Sequence, residues 1–316
     1  MSMFSVIQLG TVDYATGLRL QQTLVDLRKQ DRIGDTLVLL EHKPVITLGR
    51  NADESNIVVS REFLKHRGVE VFECDRGGDV TFHGPGQLVG YPIFDLRAQT
   101  GPDGQRKTVG AVEYVRRVEE ALIRTCADYG IATERVKGMT GVWTSEGLDT
   151  KGLRGDVSAT DGEVYLGDST PGQRPGATQH KGAGEDAGAT TSGSTTPFGG
   201  GATKQQAKIA AIGVHISRAV ASHGFALNVN TDLEYFKLII PCGISNKPVT
   251  SIQNELGREV SLDEVAQSVA RNFGRVFSSQ VLWLETLDAL LGRTVGVPNR
   301  APEELRRLHG DDISLA

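Results

Sequence analysis

The run from Arg76 to Leu96, RGGDVTFHGPGQLVGYPIFDL, restricts this chain more than any other stretch. Gly77-Gly78 lets the backbone take a positive φ or approach a ligand closely. Gly84-Pro85-Gly86 is a turn signal, since Pro presets one φ and Gly frees the next. Between them Val80-Thr81-Phe82-His83 is short and β-prone. Leu88, Val89, Tyr91, Ile93 and Phe94 continue as a second strand, where Pro92 points to a sheet edge or a bulge. On turn chemistry alone the stretch reads as a tight β-hairpin carrying a structural histidine.

The whole chain has 316 residues and a net charge of -5, long enough for one or two domains with a sizeable core. Hydrophobic content is 39% and glycines number 38, so a polar, flexible portion is expected somewhere. No apolar run is long enough to span a bilayer. The opening MSMFSVIQLG lacks the regions of a signal peptide. Cys74, Cys126 and Cys242 show no metal-ligand spacing and cannot all pair, so a reducing cytoplasm and no metal are expected. Mild acidity argues against general nucleic-acid binding.

In chain order, Phe4–Leu9 reads as a first strand, and Asp13 caps a helix to about Lys29 with Leu20, Leu24 and Leu27 at helical spacing. Thr36–Glu41 and Val45–Leu48 are buried strands leading toward a central hairpin. Ser60 caps a short helix, and Val69–Glu73 is a strand. Ala98–Lys107 is a polar loop. Thr108–Tyr129 is helical, with Val109, Val112, Val115, Val118, Leu122 and Cys126 on its apolar stripe and Gly130 as its stop. Cys126 there behaves as a small buried hydrophobe. Ile131–Val136 and Gly141–Thr144 are two further strands. Ser145–Gln206 is built from Gly, Ala, Ser, Thr and Asp, too poor in large apolar residues to offset ordering entropy; a disordered or weakly ordered insertion at a hairpin tip is expected. Lys208–Ser217 is a strand, with Phe225–Val229 its antiparallel neighbour and Ser222-His223-Gly224 in the connection. Leu233–Ile240 is a short helix or turn ended by Pro241. Ser261 and Glu264 form a capping box for a helix to about Phe277, and Val281–Leu291 is read as another helix.

Two residues carry the sharpest chemistry. Cys242 lies between a proline and a glycine, at a corner rather than on a periodic apolar stripe, which favours a reactive thiol. Lys208 alone reads as a solvated strand-end charge.

The motifs resolve that choice. Arg76-Gly77-Gly78, followed by Thr81-Phe82-His83-Gly84-Pro85-Gly86-Gln87-Leu88, closely resembles the signature of the octanoyl transferases of lipoate synthesis. Glu41-His42-Lys43-Pro44-Val45-Ile46-Thr47-Leu48-Gly49-Arg50 is similar to the same family. Lys208 heads its Lys-Ile-x-x-Ile-Gly element and Cys242 occupies its Pro-Cys-Gly-Ile element. That family belongs with the biotin and lipoate protein ligases in one catalytic fold. The resemblance therefore implies an α+β chain of mixed, mainly antiparallel sheets packed with helices, its catalytic domain at 1–278 interrupted by the 145–206 insertion, and a C-terminal extension at 279–316.

The resemblance also implies a site. Cys242 is the nucleophile and Lys208 its partner. The acyl group and its carbonyl are held by Arg76, Gly77, Gly78, Asp79, Val80, Thr81, Phe82 and His83, by Ala211, Ile212 and Gly213, and by Gly224, Phe225 and Ala226. His83 is expected to donate a hydrogen bond to the carbonyl or sulfur; His215 and His223 have no motif role and are left as scaffold. An octanoyl group would pass from octanoyl-acyl carrier protein to Cys242, then to a lysine on lipoyl domains of 2-oxoacid dehydrogenase complexes and the glycine cleavage H protein, with no cofactor. Three competing readings remain: an ATP-dependent lipoate or biotin protein ligase, a non-catalytic acyl-binding protein and a thioester hydrolase.

Overall fold

Apolar residues at alternate positions of the first strands decide the architecture. In β1 (Ser2–Val12), Phe4 and Val6 enter one core while Ile7 and Leu9 enter another. In β2 (Asp35–His42), Leu37 and Leu39 face the first core and Val38 and Leu40 the second. A strand apolar on both sides must be covered on both faces. Helix α1 (Tyr14–Lys29), capped by the Asp13 side chain on the Thr16 N–H, covers one face through Leu20, Leu24 and Leu27. Helices α3 (Ala111–Asp128) and α5 (Leu262–Val276) cover the other, with Val118, Leu122, Val269 and Phe273 wholly buried. Each such side chain contributes about 1.5–3 kcal/mol.

The computed structural model describes residues 2–100, 106–148, 203–241 and 247–290. Two compact units are present: Met1–Glu146 with Gln205–Ala316, and Gly147–Lys204. In the first, an eight-stranded sheet runs β15 (Ser279–Leu284), β1, β2, β6 (Gln87–Ile93), β14 (Val220–Asn228), β13 (Lys208–Ser217), β10 (Met139–Thr144), β9 (Thr133–Val136). β1 is parallel to both its neighbours and every other pair is antiparallel. A second sheet orders β4 (Glu70–Glu73), β3 (Val45–Leu48) and β5 (Val80–His83), and packs with α2 (Arg61–His66) and the 3-10 turn Leu233–Leu238 around a third core. β7 (Gln99–Thr100) pairs with β8 (Arg106–Lys107) inside the stretch read as a loop. A short helix α4 (Ile252–Leu256) had no reading in the sequence. In the second unit β11 (Gly147–Leu148) pairs with β12 (Thr203–Lys204). Most of the 145–206 insertion and the tail beyond Leu290 lie outside the described residues. Among the described residues no helix is long and apolar enough to cross a membrane.

The α+β architecture of mixed, mainly antiparallel sheets is as expected; several local readings are corrected. β5 and β6 do not form a hairpin: β5 pairs with β3, β6 lies between β2 and β14, and the Gly84-Pro85-Gly86 turn is the corner between two sheets. Pro92 is therefore not on an edge. It sits where the β6–β14 ladder stops, after Gly90↔Phe225 and before Asp95↔Val220, so its missing N–H costs no ladder bond there. Ser222-His223-Gly224 is inside β14; the turn is Arg218-Ala219, both with positive φ, the geometry of a two-residue hairpin turn without its usual Asn-Gly marker. Val112 on the expected stripe of α3 is 75% exposed, while Tyr114 and Arg117 are buried instead. Ser279–Leu284, of which Val281–Leu284 was read as helix, is a strand, because the open parallel edge of β1 is available to it.

Candidate active site

The Arg76 guanidinium organises the loop that precedes β5. Its Nε and Nη2 donate to Thr47 Oγ1 at 3.1 and 2.9 Å, and Nη2 also donates to the Thr47 and Asp79 carbonyls, both at 2.7 Å. These acceptors are uncharged, so a nearly buried positive charge is built into the loop. The Gly77 N–H then donates to the Val214 carbonyl at 3.1 Å, which lays the loop against β13. A side chain at Gly213 would put Cβ 2.7 Å from the Gly77 oxygen, so glycine is required for this approach.

Alternation along β5 splits the expected substrate segment in two. Thr81 and His83 face a cavity of about 390 Å³, within the ~300–1,000 Å³ usual for small-molecule sites. Val80 and Phe82 face the third core, Phe82 stacking on Tyr235 at 4.6 Å. The Asp79 carboxylate turns toward the Asp53–Asn56 turn, accepting from Asp53 N–H and Asn56 Nδ2. Arg76, Gly77, Gly78, Lys208, Ala211, Ile212, Gly213, Gly224, Phe225 and Ala226 all line the same cavity. Asp79, Val80 and Phe82 do not line it. Cys242 and Gly243 lie outside the described residues.

Sequence reasoning did not single out Tyr14, Tyr91, Val115, Met139 or His223, all of which line the cavity. Tyr91 was visible within the central stretch as a strand residue, and its face alone decides its role. His223 precedes the expected Gly224, has a positive φ of 54, and places Nε2 2.7 Å from Asp75 Oδ1. Burial holds its pKa below the ordinary value despite that carboxylate, so the neutral ring donates Nε2–H to Asp75.

The protonation of His83 follows from its neighbours. Asn228 Nδ2 donates to the Thr250 carbonyl at 2.9 Å, which leaves Asn228 Oδ1 as acceptor. Gln87 Nε2 donates to that oxygen at 2.9 Å and lies 3.2 Å from the Phe82 carbonyl. Gln87 Oε1 must therefore accept, and it does so from His83 Nδ1–H at 2.7 Å. Burial first, then the His42 and Arg76 charges, push the His83 pKa down to about 3. The ring is neutral with its proton on Nδ1, and Nε2 is an acceptor. With Nδ1–H given to Gln87, the ring has no N–H left for the acyl carbonyl or sulfur to which it was expected to donate. His42 is arranged likewise: Nδ1–H donates to the Val12 carbonyl at 2.9 Å, Nε2 accepts from Tyr91 O–H at 2.6 Å, and burial lowers its pKa to about 4.

Lys208 opens β13 with its backbone held on both sides. Its N–H donates to the Pro248 carbonyl and its carbonyl accepts from Thr250 N–H, each at 2.9 Å. The side chain is 7% exposed, with Nζ 4.7 Å from the Trp143 ring centroid. This is not the solvated strand-end charge that the residue alone would imply. Of the other cysteines, Cys126 is wholly buried and burial raises its thiol to about 12, while Cys74 Sγ contacts the Leu48 carbonyl. Among the described residues no cluster of His, Cys, Asp or Glu fits a metal ion.

A mixed, mainly antiparallel sheet covered by helices, with a glycine-rich loop, a lysine and a histidine around one cavity, is an architecture that can be compared with solved folds. The chain aligns with a bipartite lipoate protein ligase of Thermoplasma acidophilum, solved in work on that ligase and its E2 lipoyl domain, at TM-score 0.56 and 13% identity, covering 98% of this chain and 97% of that one. Residues 13–274 match the lipoyl protein ligase A/B catalytic domain, and the chain belongs to that family. It is 53% identical over 313 residues to an octanoyltransferase of Koribacter versatilis, covering 99% of this chain and 100% of the relative. It is 49% identical over 291 residues to one of Acidobacterium capsulatum, covering 92% and 96%. This chain is accordingly an acyltransferase, an octanoyltransferase of lipoate biosynthesis.

Proposed function

We propose that the chain carries octanoyl from octanoyl-acyl carrier protein to the target lysine of lipoyl domains, including those of 2-oxoacid dehydrogenase complexes and the glycine cleavage H protein, through a thioester on Cys242. We place the reaction in the cytoplasm. The observation that carries this reading is that Lys208, Arg76-Gly77-Gly78 and the β13–β14 glycines line one cavity of acyl size. The Lys208 N–H is also bonded to Pro248, six residues after Cys242 in the chain.

In the first step the Cys242 thiolate attacks the donor thioester. A new C–S bond forms, the donor C–S bond breaks, and the leaving sulfur takes a proton from Lys208. One thioester replaces another, so the step is nearly balanced. In the second step the acceptor amine attacks the Cys242 thioester, forms an amide, gives its proton to Lys208 and releases the Cys242 thiolate. Amide formation is downhill, so no nucleotide is consumed. Because His83 Nε2 has no proton, the developing oxyanion is stabilised by backbone N–H groups of the glycine-rich walls and by the Arg76 charge. His83 Nε2 accepts from the incoming amine instead. Val115, Met139, Ile212 and Phe225 supply apolar contact for the acyl chain.

Intact-protein mass spectrometry after incubation with octanoyl-acyl carrier protein tests the reading. One octanoyl increment is expected in the wild type, in Cys74→Ala and in Cys126→Ala, and none in Cys242→Ala. An adduct that survives Cys242→Ala overturns it.

A further inference from the structure

Trp143 is 1% exposed and is the largest wholly buried side chain of the described residues. Packing alone does not explain the choice of tryptophan. Its indole Nε1 is buried with no hydrogen-bond partner among the described residues, and such a group costs stability that an apolar side chain would not. What the ring does have is cations. Lys208 Nζ lies 4.7 Å from its centroid and Lys247 Nζ 5.5 Å.

The backbone arranges this meeting. Trp143 on β10 is the cross-strand partner of Lys208 on β13. The register slips by one residue between that pair and Val142↔Ala210, a bulge of the kind that re-aims a side chain beside a site. Gly141, at φ 122, leaves open the space in which a Cβ would lie 3.6 Å from Lys208 Cε. Lys247 is held by Gln206 Oε1 at 2.6 Å, and Gln206 Nε2 donates to Glu134, the β9 partner of Trp143.

We propose that Trp143 is a positioning residue of the acyl-transfer site: its indole face seats the Lys208 ammonium, and so fixes where the lysine can favour a thiolate and exchange protons. The functional half rests on the reading of Lys208 as the partner of Cys242; the seat itself does not. A cation over the face of tryptophan is attracted by the ring quadrupole, and the attraction grows when both are withdrawn from water. A lysine stem has several rotatable bonds, and the ring face narrows the positions that the ammonium occupies. Phenylalanine would keep part of the seat and leucine none.

Two measurements on the full chain separate the parts. In NMR spectra of lysine-labelled protein, the Lys208 methylene signals, assigned through Lys208→Met, should carry a ring-current shift that Trp143→Leu abolishes and Trp143→Phe partly keeps. In peptide-resolved iodoacetamide alkylation, Trp143→Leu should slow Cys242 at pH 7 by about threefold to thirtyfold, the range that cation–π energies span. It should add little when Lys208 is already methionine. If Trp143→Leu fails to fold, 5-fluorotryptophan in a Trp283→Phe background weakens the ring face without changing its fit; a smaller slowing of alkylation in the same direction supports the proposal. Unchanged Lys208 signals and alkylation in folded Trp143→Leu, or unchanged alkylation in the fluorinated protein, overturn it. If Lys208→Met leaves alkylation unchanged while the ring-current shift behaves as expected, the seat stands and the pairing of Lys208 with Cys242 is what fails.

Discussion

The two walls of the cavity are fastened by different means. The wall at residues 76–83 is held by side chains: Arg76 grips Thr47, and His83 ends a chain of hydrogen bonds through Gln87 and Asn228 to the Thr250 carbonyl. The wall made by β13 and β14 is held by its ladder, with glycine where the other wall comes close. The first wall fails when a side chain is lost. The second fails when one is gained. Lys208 is the exception on the second wall, a charged side chain lining the cavity from the end of β13, and under the proposed function its charge is its purpose.

That exception carries the largest expected effect. Lys208→Met should leave the fold intact and reduce octanoyl transfer to a lipoyl domain by roughly 10²–10⁴-fold, the usual loss for a general acid–base. Lys208→Arg keeps the charge but holds its proton, so it should restore Cys242 alkylation more than turnover. Near-normal turnover in Lys208→Met would make both walls merely structural.

The first wall and its backing carry the pH dependence. His83 and His42 have folded pKa values of about 3 and about 4, against an ordinary 6.5, because burial penalises the charged ring. Below pH 6.5 the unfolded chain binds protons that the folded chain refuses. Stability is therefore complete above that pH and falls as pH drops toward the folded values. At pH 5.5 each ring costs about 1.4 kcal/mol, and His223, also lowered by burial, acts in the same direction. Urea unfolding should show about 2–4 kcal/mol less stability at pH 5.5 than at pH 7.5, with a shallower dependence in His83→Asn. An unchanged dependence in that variant would mean that His83 is not held neutral.

The second wall is tested by adding one carbon. Gly213→Ala would place Cβ 2.7 Å from the Gly77 carbonyl oxygen, a backbone atom that must move. Overpacking of this kind costs about 1–3 kcal/mol. The expected result is a tenfold to hundredfold loss of transfer, roughly 1.4–2.8 kcal/mol in barrier, with a smaller effect on melting temperature because the β13–β14 ladder itself is untouched. A melting temperature that falls as far as activity would show that the two walls support each other throughout rather than at this contact.

The same division explains what was legible in the sequence. Asp13, Ser60 and Ser261 announce their helices because a cap is a local interaction, and each accepts the backbone N–H expected of it. Arg76, His83 and Lys208 stand inside the motifs that carry the family resemblance, so the sequence exposes them. The partners of a strand are not local. Nothing in Val80–His83 or Gln87–Ile93 states that they join different sheets, and nothing in Ser279–Leu284 states that β1 offers an open edge. The Arg218-Ala219 turn takes positive φ angles without glycine, which moved the expected hairpin connection into β14. Trp143 was visible in the sequence but silent, since its role depends on the strand laid opposite it.

The smallest effect is expected from replacing residues 149–202. The strands that flank them, β10 and β13, are fastened to each other through Val142↔Ala210 and Trp143↔Lys208. Thr144 N–H donates to the Ala207 carbonyl at 2.8 Å, and Ala207 N–H to Thr144 Oγ1 at 3.0 Å. Gly147 pairs with Lys204 and Leu148 with Thr203, so the two chain ends stand in hairpin register. Replacing residues 149–202 with Asn-Gly would close that register with the dipeptide best suited to a two-residue turn. Closing a long loop costs little more than closing a short one, so stability should change by only about 1–3 kcal/mol. Transfer to a lipoyl domain should stay within about tenfold of the full chain, roughly 1.4 kcal/mol in barrier. The measurement is turnover with octanoyl-acyl carrier protein at several acceptor concentrations. A raised KM for the lipoyl domain at normal kcat would mean that the replaced residues dock the acceptor. A collapse of kcat in a folded protein would mean that the second wall takes more than its ladder to hold it.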